Sequence, residues 1–150
     1  MPGSALLDDD CTRILDGQHL VRVAFRDGES LYLIPLGYVW FRSALYGVAE
    51  RGRKTVLAER NALVAFQVDT SMQTGLWEWE SVTGEGRFAL VEAAERQEAL
   101  SALQPVIAAA PEWWRREEGP SLAAGALVVW RLSVTHVAGS RYAPGRGEGT

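Results

Sequence analysis

The strongest constraint on what this chain can fold into is a succession of short segments in which apolar residues recur at every second position, cut by turn residues. Leu20 to Arg26 puts Val21, Val23 and Phe25 on one face, Asp27-Gly28 follows as a hairpin signal, and Ser30 to Leu36 resumes the pattern before Pro35-Leu36-Gly37 breaks it. Tyr38 to Phe41 and Ala44 to Ala49 read as further extended segments. Ala62 to Asp69 is apolar almost throughout, as expected of a strand covered on both faces. Leu76 to Val91 is a long β stretch with Trp77 and Trp79 on one face and Glu78 and Glu80 on the solvent face; Gly84 and Gly86 mark a bulge. Ala126 to Val137 reads as the last strand.

Helical spacing is sparser. Ser4 can cap a first helix with Asp8, Asp9 and Asp10 at its positive end and Leu7, Cys11, Ile14 and Leu15 as its apolar stripe. Glu50 to Asn61 predicts a short helix with Val56 and Leu57 inward, and Ala93 to Ala110 a longer one with Leu100, Leu103 and Ile107 inward. Thr70 to Gly75 reads as a polar loop, Glu112 to Pro120 as a loop holding Trp113-Trp114, and the chain from Gly139 as a loose tail rich in Gly and Arg. Many sequential strands and few helices favour an antiparallel barrel with helices outside it, in which closure removes most sheet edges.

The 150 residues are a usual size for one domain, taken as 1–141 with 142–150 as a flexible tail. A net charge of -4 argues against a general nucleic-acid binder, and no apolar run is long enough to span a bilayer. One cysteine, Cys11, excludes an intramolecular disulfide, and a cytoplasmic location is the default expectation. The two histidines, His19 and His136, lie far apart in sequence outside any metal-type cluster, so no metal site is predicted, and no catalytic triad motif is present.

The segment from Tyr46 to Thr55 is the most informative. A helix begins near Gly52, yet the residues there are Arg51, Arg53 and Lys54, the last being the single lysine beside fourteen arginines. Cations at a helix N-terminus oppose the macrodipole by a few tenths of a kcal/mol each, roughly. An anion docked there would reverse the sign, with Thr55 as an added hydroxyl donor. A solvated basic turn paired with Glu50 and Glu59 explains the charge pattern equally well. The second cluster is aromatic: Tyr38, Trp40 and Phe41, then Trp77 and Trp79, then Trp113, Trp114 and Trp130, which serve either as core and interface or as walls for a planar ligand.

Leu31-Tyr-Leu-Ile-Pro-Leu-Gly-Tyr38 followed by Leu45-Tyr-Gly-Val-Ala-Glu-Arg-Gly-Arg-Lys54 resembles the flavin-nucleotide-binding split barrels related to pyridoxamine 5′-phosphate oxidase, nearest the branch of the nitroimidazole-resistance proteins. Asn61 to Asp69 and Glu80 to Arg87 extend the resemblance, which covers roughly Leu6 to Gly139. It implies a mainly β fold with flanking helices, a six-stranded antiparallel split β-barrel that forms a homodimer with FMN at the subunit interface. Carried over residue by residue, it implies Lys54 at the FMN phosphate with Arg53 and Thr55 beside it, and the backbone of Ile34, Pro35, Leu36, Gly37 and Tyr38 along the flavin ring. Ser81 and Val82 approach the ring, and Arg131 and Arg141 are candidate contacts from the other subunit. Val48 stands where the nitroimidazole-resistance branch commonly has His, which sets this chain apart from that branch's reductive chemistry. The resemblance implies an FMN-dependent oxidoreductase acting on a small molecule; the alternatives are a deazaflavin-dependent reductase, a non-catalytic flavin carrier or sensor, and a degenerate dimer with no cofactor.

Overall fold

A computed structural model describes residues 3–6, 8–60 and 62–143. In chain order the elements are β1 (Gly3–Leu6), α1 (Asp8–Gly17), β2 (Leu20–Asp27), β3 (Ser30–Gly37), β4 (Val39–Phe41), β5 (Ala44–Glu50), α2 (Arg53–Ala58), β6 (Ala62–Asp69), α3 (Ser71–Thr74), β7 (Trp79–Val91), α4 (Ala93–Ala108), α5 (Glu112–Glu117), α6 (Gly119–Ala123) and β8 (Leu127–Tyr142). The fold is mainly β with flanking helices, as the periodicity predicts, but the sheet has eight strands rather than six. Its order is β3-β2-β6-β7-β8-β5-β4, with β1 added on β8, and every pairing is antiparallel.

Two-residue turns carry the hairpins. Gly28, at φ 62°, closes β2 onto β3, and Arg42 and Ser43, at φ 49° and 60°, close β4 onto β5 in the left-handed geometry that suits strand twist. The register of β7 on β8 slips between Glu85 and Gly86, which is the bulge expected from the paired glycines. Inward side chains of β2, β6, β7 and β8 fill the barrel: Val21, Val23, Phe25, Val64, Phe66, Val68, Val82, Phe88, Trp130 and Leu132 are all buried. Phe88 stacks on Trp130 at 5.0 Å and meets Phe25 edge-on at 4.9 Å.

The two ends of the sheet meet at one point. No strand pairing joins β3 to β5, but the Gly37 carbonyl lies so close to Gly47 that a Cβ at position 47 would stand 2.5 Å from its oxygen and 2.6 Å from Cε2 of Trp130. Only glycine fits there. The barrel is therefore split: β3 and β5 touch at Gly37 and Gly47, and the second edge of β3 pairs with no described strand.

Several expectations are corrected. Ser4 lies in β1, paired with Arg141, so the first helix starts later, at Asp8. Cys11, Ile14 and Leu15 are buried as its stripe requires, while Leu7 falls outside the described residues. The helix expected over 50–61 is six residues long; Leu57 is buried but Val56 is 53% exposed, and Asn61 is outside the described residues. Residues 71–74 form a helical turn, and residues 112–123 two short helices, in place of loops. Glu80 does not face solvent freely: Arg13 and Arg141 both bond its carboxylate, at 3.0 and 2.9 Å. The last strand runs through Gly139 to Tyr142 because β1 and β7 flank it on both sides, and residues 144–150 lie outside the described residues. The outer face of β6 is uncovered among the described residues, with Leu63 52% exposed. Among the described residues no helix is long and apolar enough to cross a membrane.

Two measurements test this packing. Gly47→Ala should lower stability by about 2 kcal/mol or more through overpacking, whereas Gly17→Ala, where a Cβ meets nothing within 4 Å, should change it by less than about 0.5 kcal/mol; urea denaturation compares them. Burial alone would raise the Glu80 pKa, but hydrogen bonds from Arg141 and Arg13 outweigh it and hold the carboxyl below its usual value of 4.5. Stability from a carboxylate lowered in this way is full above the unfolded value and is lost as pH falls through the folded one. Glu80→Gln should cost about 1 kcal/mol at pH 7, with the difference from the parent shrinking below about pH 4.

Candidate functional site

The seam between β3 and β5 opens from the Gly37–Gly47 contact toward α2. Along it, Tyr32, Ile34 and Leu36 turn toward the core, and Leu31, Leu33, Pro35 and Gly37 turn outward. Tyr38 is fully buried; its hydroxyl donates to the Leu15 carbonyl at 2.7 Å, and burial, followed by the charge of Asp16, raises its pKa. Its amide donates to the His19 carbonyl at 2.9 Å, and its own carbonyl lies 3.1 Å from His19 Nδ1. Tyr38 thus anchors the end of the seam as a core residue, and the exposed backbone of the stretch lies before it.

At the other end of the seam α2 begins. The Thr55 hydroxyl donates to the Gly52 carbonyl and accepts from the Gly52 amide, both at 2.8 Å, and the Thr55 side chain is buried. Thr55 is therefore occupied as an internal cap, not held out as a donor to a ligand. The Thr55 and Val56 amides both donate to the Gly52 carbonyl, so the amides of Arg53 and Lys54 remain the outward donors of the first turn. With six residues α2 has a short dipole, and side-chain cations dominate the charge here. Arg53 spans the seam: its guanidinium lies 4.5 Å from the centre of the Tyr32 ring and bonds Asp27 at 3.0 Å. Lys54 is half-buried and makes no ion pair among the described residues. Cavities flank α2 on both sides, one of about 260 Å³ bordered by Arg53 and Arg60, the other of about 360 Å³ bordered by Arg51 and Arg96.

The remaining candidates are not brought to this seam within one protomer. Pro35, Arg22, Gln67, Thr83 and Ala138 form one cross-strand row over five strands. Ser81 and Val82, just before Thr83, sit three strands from β3, about 14 Å away. The Val82 side chain is fully buried, and the Ser81 hydroxyl lies 3.4 Å from Gln67 Nε2. Arg131 lies on the outer face under α4, ion-paired with Glu95, which also accepts from the Tyr46 hydroxyl at 3.0 Å; the Arg131 Nε is buried without a partner. Burial, then the Glu95 bond, raises the Tyr46 pKa. Arg141 is held by Glu80. Among the described residues no three His, Cys, Asp or Glu side chains converge as metal ligands. Burial, then Asp8 and Asp10, raises the Cys11 thiol pKa, which leaves it a packing group.

Trp113 and Trp114, offered by the sequence as walls for a planar ligand, border apolar spaces beside Val48; sequence reasoning missed the part of Val48 in them and a facing pair of carboxyls, Glu50 and Glu118. Both depend on where α5 and α6 fold back, for which periodicity gives no signal. The lone glycine at 47 in an apolar strand, which the sequence reading passed over, is the signal that could have marked the close approach.

A split barrel in which the second edge of β3 is unpaired among the described residues, with a cation cluster beside it, defines the class, and comparison with known proteins gives the family. Residues 8–141 match the family model described as pyridoxamine 5′-phosphate oxidase, and the chain belongs to that family. A FAD-binding protein from Mesorhizobium loti is similar at 26% identity and TM-score 0.76, covering 95% of this chain and all of that one. A FAD-binding protein from Mycobacterium smegmatis shares the fold at 19% identity and TM-score 0.66, over 93% of this chain and 99% of that one. A candidate 5-nitroimidazole antibiotic resistance protein from Bacteroides thetaiotaomicron shares it at 18% and 0.69, over 93% and 87%. No functionally curated protein matches significantly.

Because Thr55 serves as an internal cap, Thr55→Ala should lower stability by about 1 kcal/mol in urea denaturation.

Proposed function

We propose that the chain is a flavin-nucleotide-binding protein, an FMN-dependent oxidoreductase acting on an unidentified small molecule, and that it works as a homodimer. The observation that carries this reading is the seam: an unpaired strand edge that leads, over the two residues from Ile34 to Tyr32, to the cations of α2. That distance is about 7 Å along a strand, within the reach of a ribityl chain. The isoalloxazine would lie against the backbone of Ile34 to Gly37, and its phosphate against Lys54, Arg53 and the free amides of the first turn of α2. Flavin would supply the electron chemistry, and the protein binding and orientation, so no catalytic side-chain cluster is required. Membership of the family and the likeness to the FAD-binding protein of M. loti support a flavin and leave its nucleotide part open.

The dimer is supported by the uncovered outer face of the sheet. Leu31 is 82% and Leu33 67% exposed, beside Ala24, Ala65 and a groove of about 590 Å³ that Arg22, Glu85 and His136 border. A twofold partner on this face would cover the apolar strip and bring its own Ser81–Val82 region or Arg131 closer to the seam than one protomer can.

Titration with FMN, FAD and a deazaflavin, followed by flavin fluorescence, tests the cofactor; binding of none of them contradicts the reading. Lys54→Ala should weaken flavin binding about tenfold or more, the worth of a charge-assisted phosphate contact, while Arg42→Ala at the distant β4–β5 turn should leave it unchanged. Equal effects would remove Lys54 from the site. Leu33→Asp should shift the protein to monomers in sedimentation; an unchanged dimer would place the interface elsewhere.

A further inference from the structure

A second cavity lies on the outer face of β5, beside the Gly37–Gly47 contact. It measures about 320 Å³, and its walls are Val48 of β5, Leu103, Val106 and Ile107 of α4, and Pro111 and Trp114 at the start of α5. Gly37 lines it too, so the stretch assigned to the flavin ring and the cavity share a residue. Its volume and apolar lining are those of a small-molecule site. Val48 and Trp114 also wall an adjoining space of about 310 Å³ that Trp113, Glu50 and Glu118 complete. Glu50 and Glu118 face each other closely enough to share a hydrogen bond, which, followed by burial and the charges of Glu50 and Glu117, raises the Glu118 pKa. Neither lining includes an arginine or a lysine. Trp113 is exposed, and neither it nor Trp114 stacks on another ring among the described residues.

We propose that this cavity is the substrate pocket of the flavin site, that it takes an uncharged aromatic molecule lying against Trp114 and Val48, and that it rejects phosphorylated compounds. This rests on the flavin reading above. An apolar wall gives a phosphate monoester no compensation for lost hydration, and two carboxyls at the adjoining opening repel it. A flat neutral ring loses little on desolvation and gains contact with the indole. The pocket is separate from the outer sheet face assigned to the dimer, so a partner there leaves it open. Despite the family's description, the chain would therefore not take pyridoxamine 5′-phosphate.

The test uses 2-naphthol, naphthalene-2-sulfonate and pyridoxamine 5′-phosphate as probes, by calorimetry on the flavin-loaded and the flavin-free protein. Naphthol should bind at least about tenfold tighter than either anion. Trp114→Ala and Val48→Asp, each with an unchanged circular dichroism spectrum, should weaken naphthol by a similar factor and leave FMN affinity within about twofold. Sulfonate or pyridoxamine 5′-phosphate binding as tightly as naphthol would overturn the proposal, as would naphthol binding that both variants leave intact. Failure of FMN to bind, with naphthol still dependent on Trp114, would overturn the flavin reading alone and leave the ligand class of the cavity standing.

Discussion

The contact of the Gly37 carbonyl with Gly47, backed by the Trp130 ring, organises the rest of the molecule. Hydrogen bonds run through the whole sheet from β3 to β4 but do not join its two flanks there. What brings the flanks together is close packing at a position where a side chain has no room. On one side of that point the strands diverge into a seam with an unpaired edge and cations at its far end. Beside that seam β5 turns its outer face to α4 and α5 and leaves an apolar cavity that Gly37 also borders. One steric contact thus stands where the cation-lined seam and the apolar cavity meet.

Charge follows the same division. Around α2 the cations Arg51, Arg53, Lys54 and Arg60 outnumber the acids, and Arg53 is tied to the barrel by Asp27 and Tyr32. Beside the cavity at Val48 the charged groups are Glu50 and Glu118. Elsewhere cations are tied down by structure: Arg13 and Arg141 on Glu80, Arg22 on Asp69, Arg42 on Glu98, Arg131 on Glu95. Exposed pairs of this kind add little stability each, but they mark which cations are already engaged, whereas Arg51, Lys54 and Arg60 around α2 form no ion pair among the described residues.

The barrel was legible because its strands obey a period of two and its turns use the residues that turns need: Val21, Val23 and Phe25 alternate inward, and Gly28 supplies the left-handed turn. What escaped was set by contacts remote in sequence. β1 exists because β8 runs on to Tyr142 and offers an edge, which the Gly-rich composition of that segment concealed. The segment 112–120 reads as a loop because its Trp, Arg and Glu show no apolar period, and it becomes helical as α5 and α6 pack on each other and α6 on β8. In the site, the cations of Arg53 and Lys54 were visible as a breach of the usual helix charge pattern. The role of Thr55 was not, because a hydroxyl that bonds a ligand and one that caps its own helix look alike in sequence.

The central claim is that a phosphate settles against Lys54 and Arg53 while the ring lies in the seam, and riboflavin separates these two parts because it carries the ring without the phosphate. Equilibrium titration with FMN and with riboflavin at low and high salt should give FMN an advantage of about tenfold or more that narrows as salt screens the cations. Equal affinity for the two, independent of salt, would contradict the account.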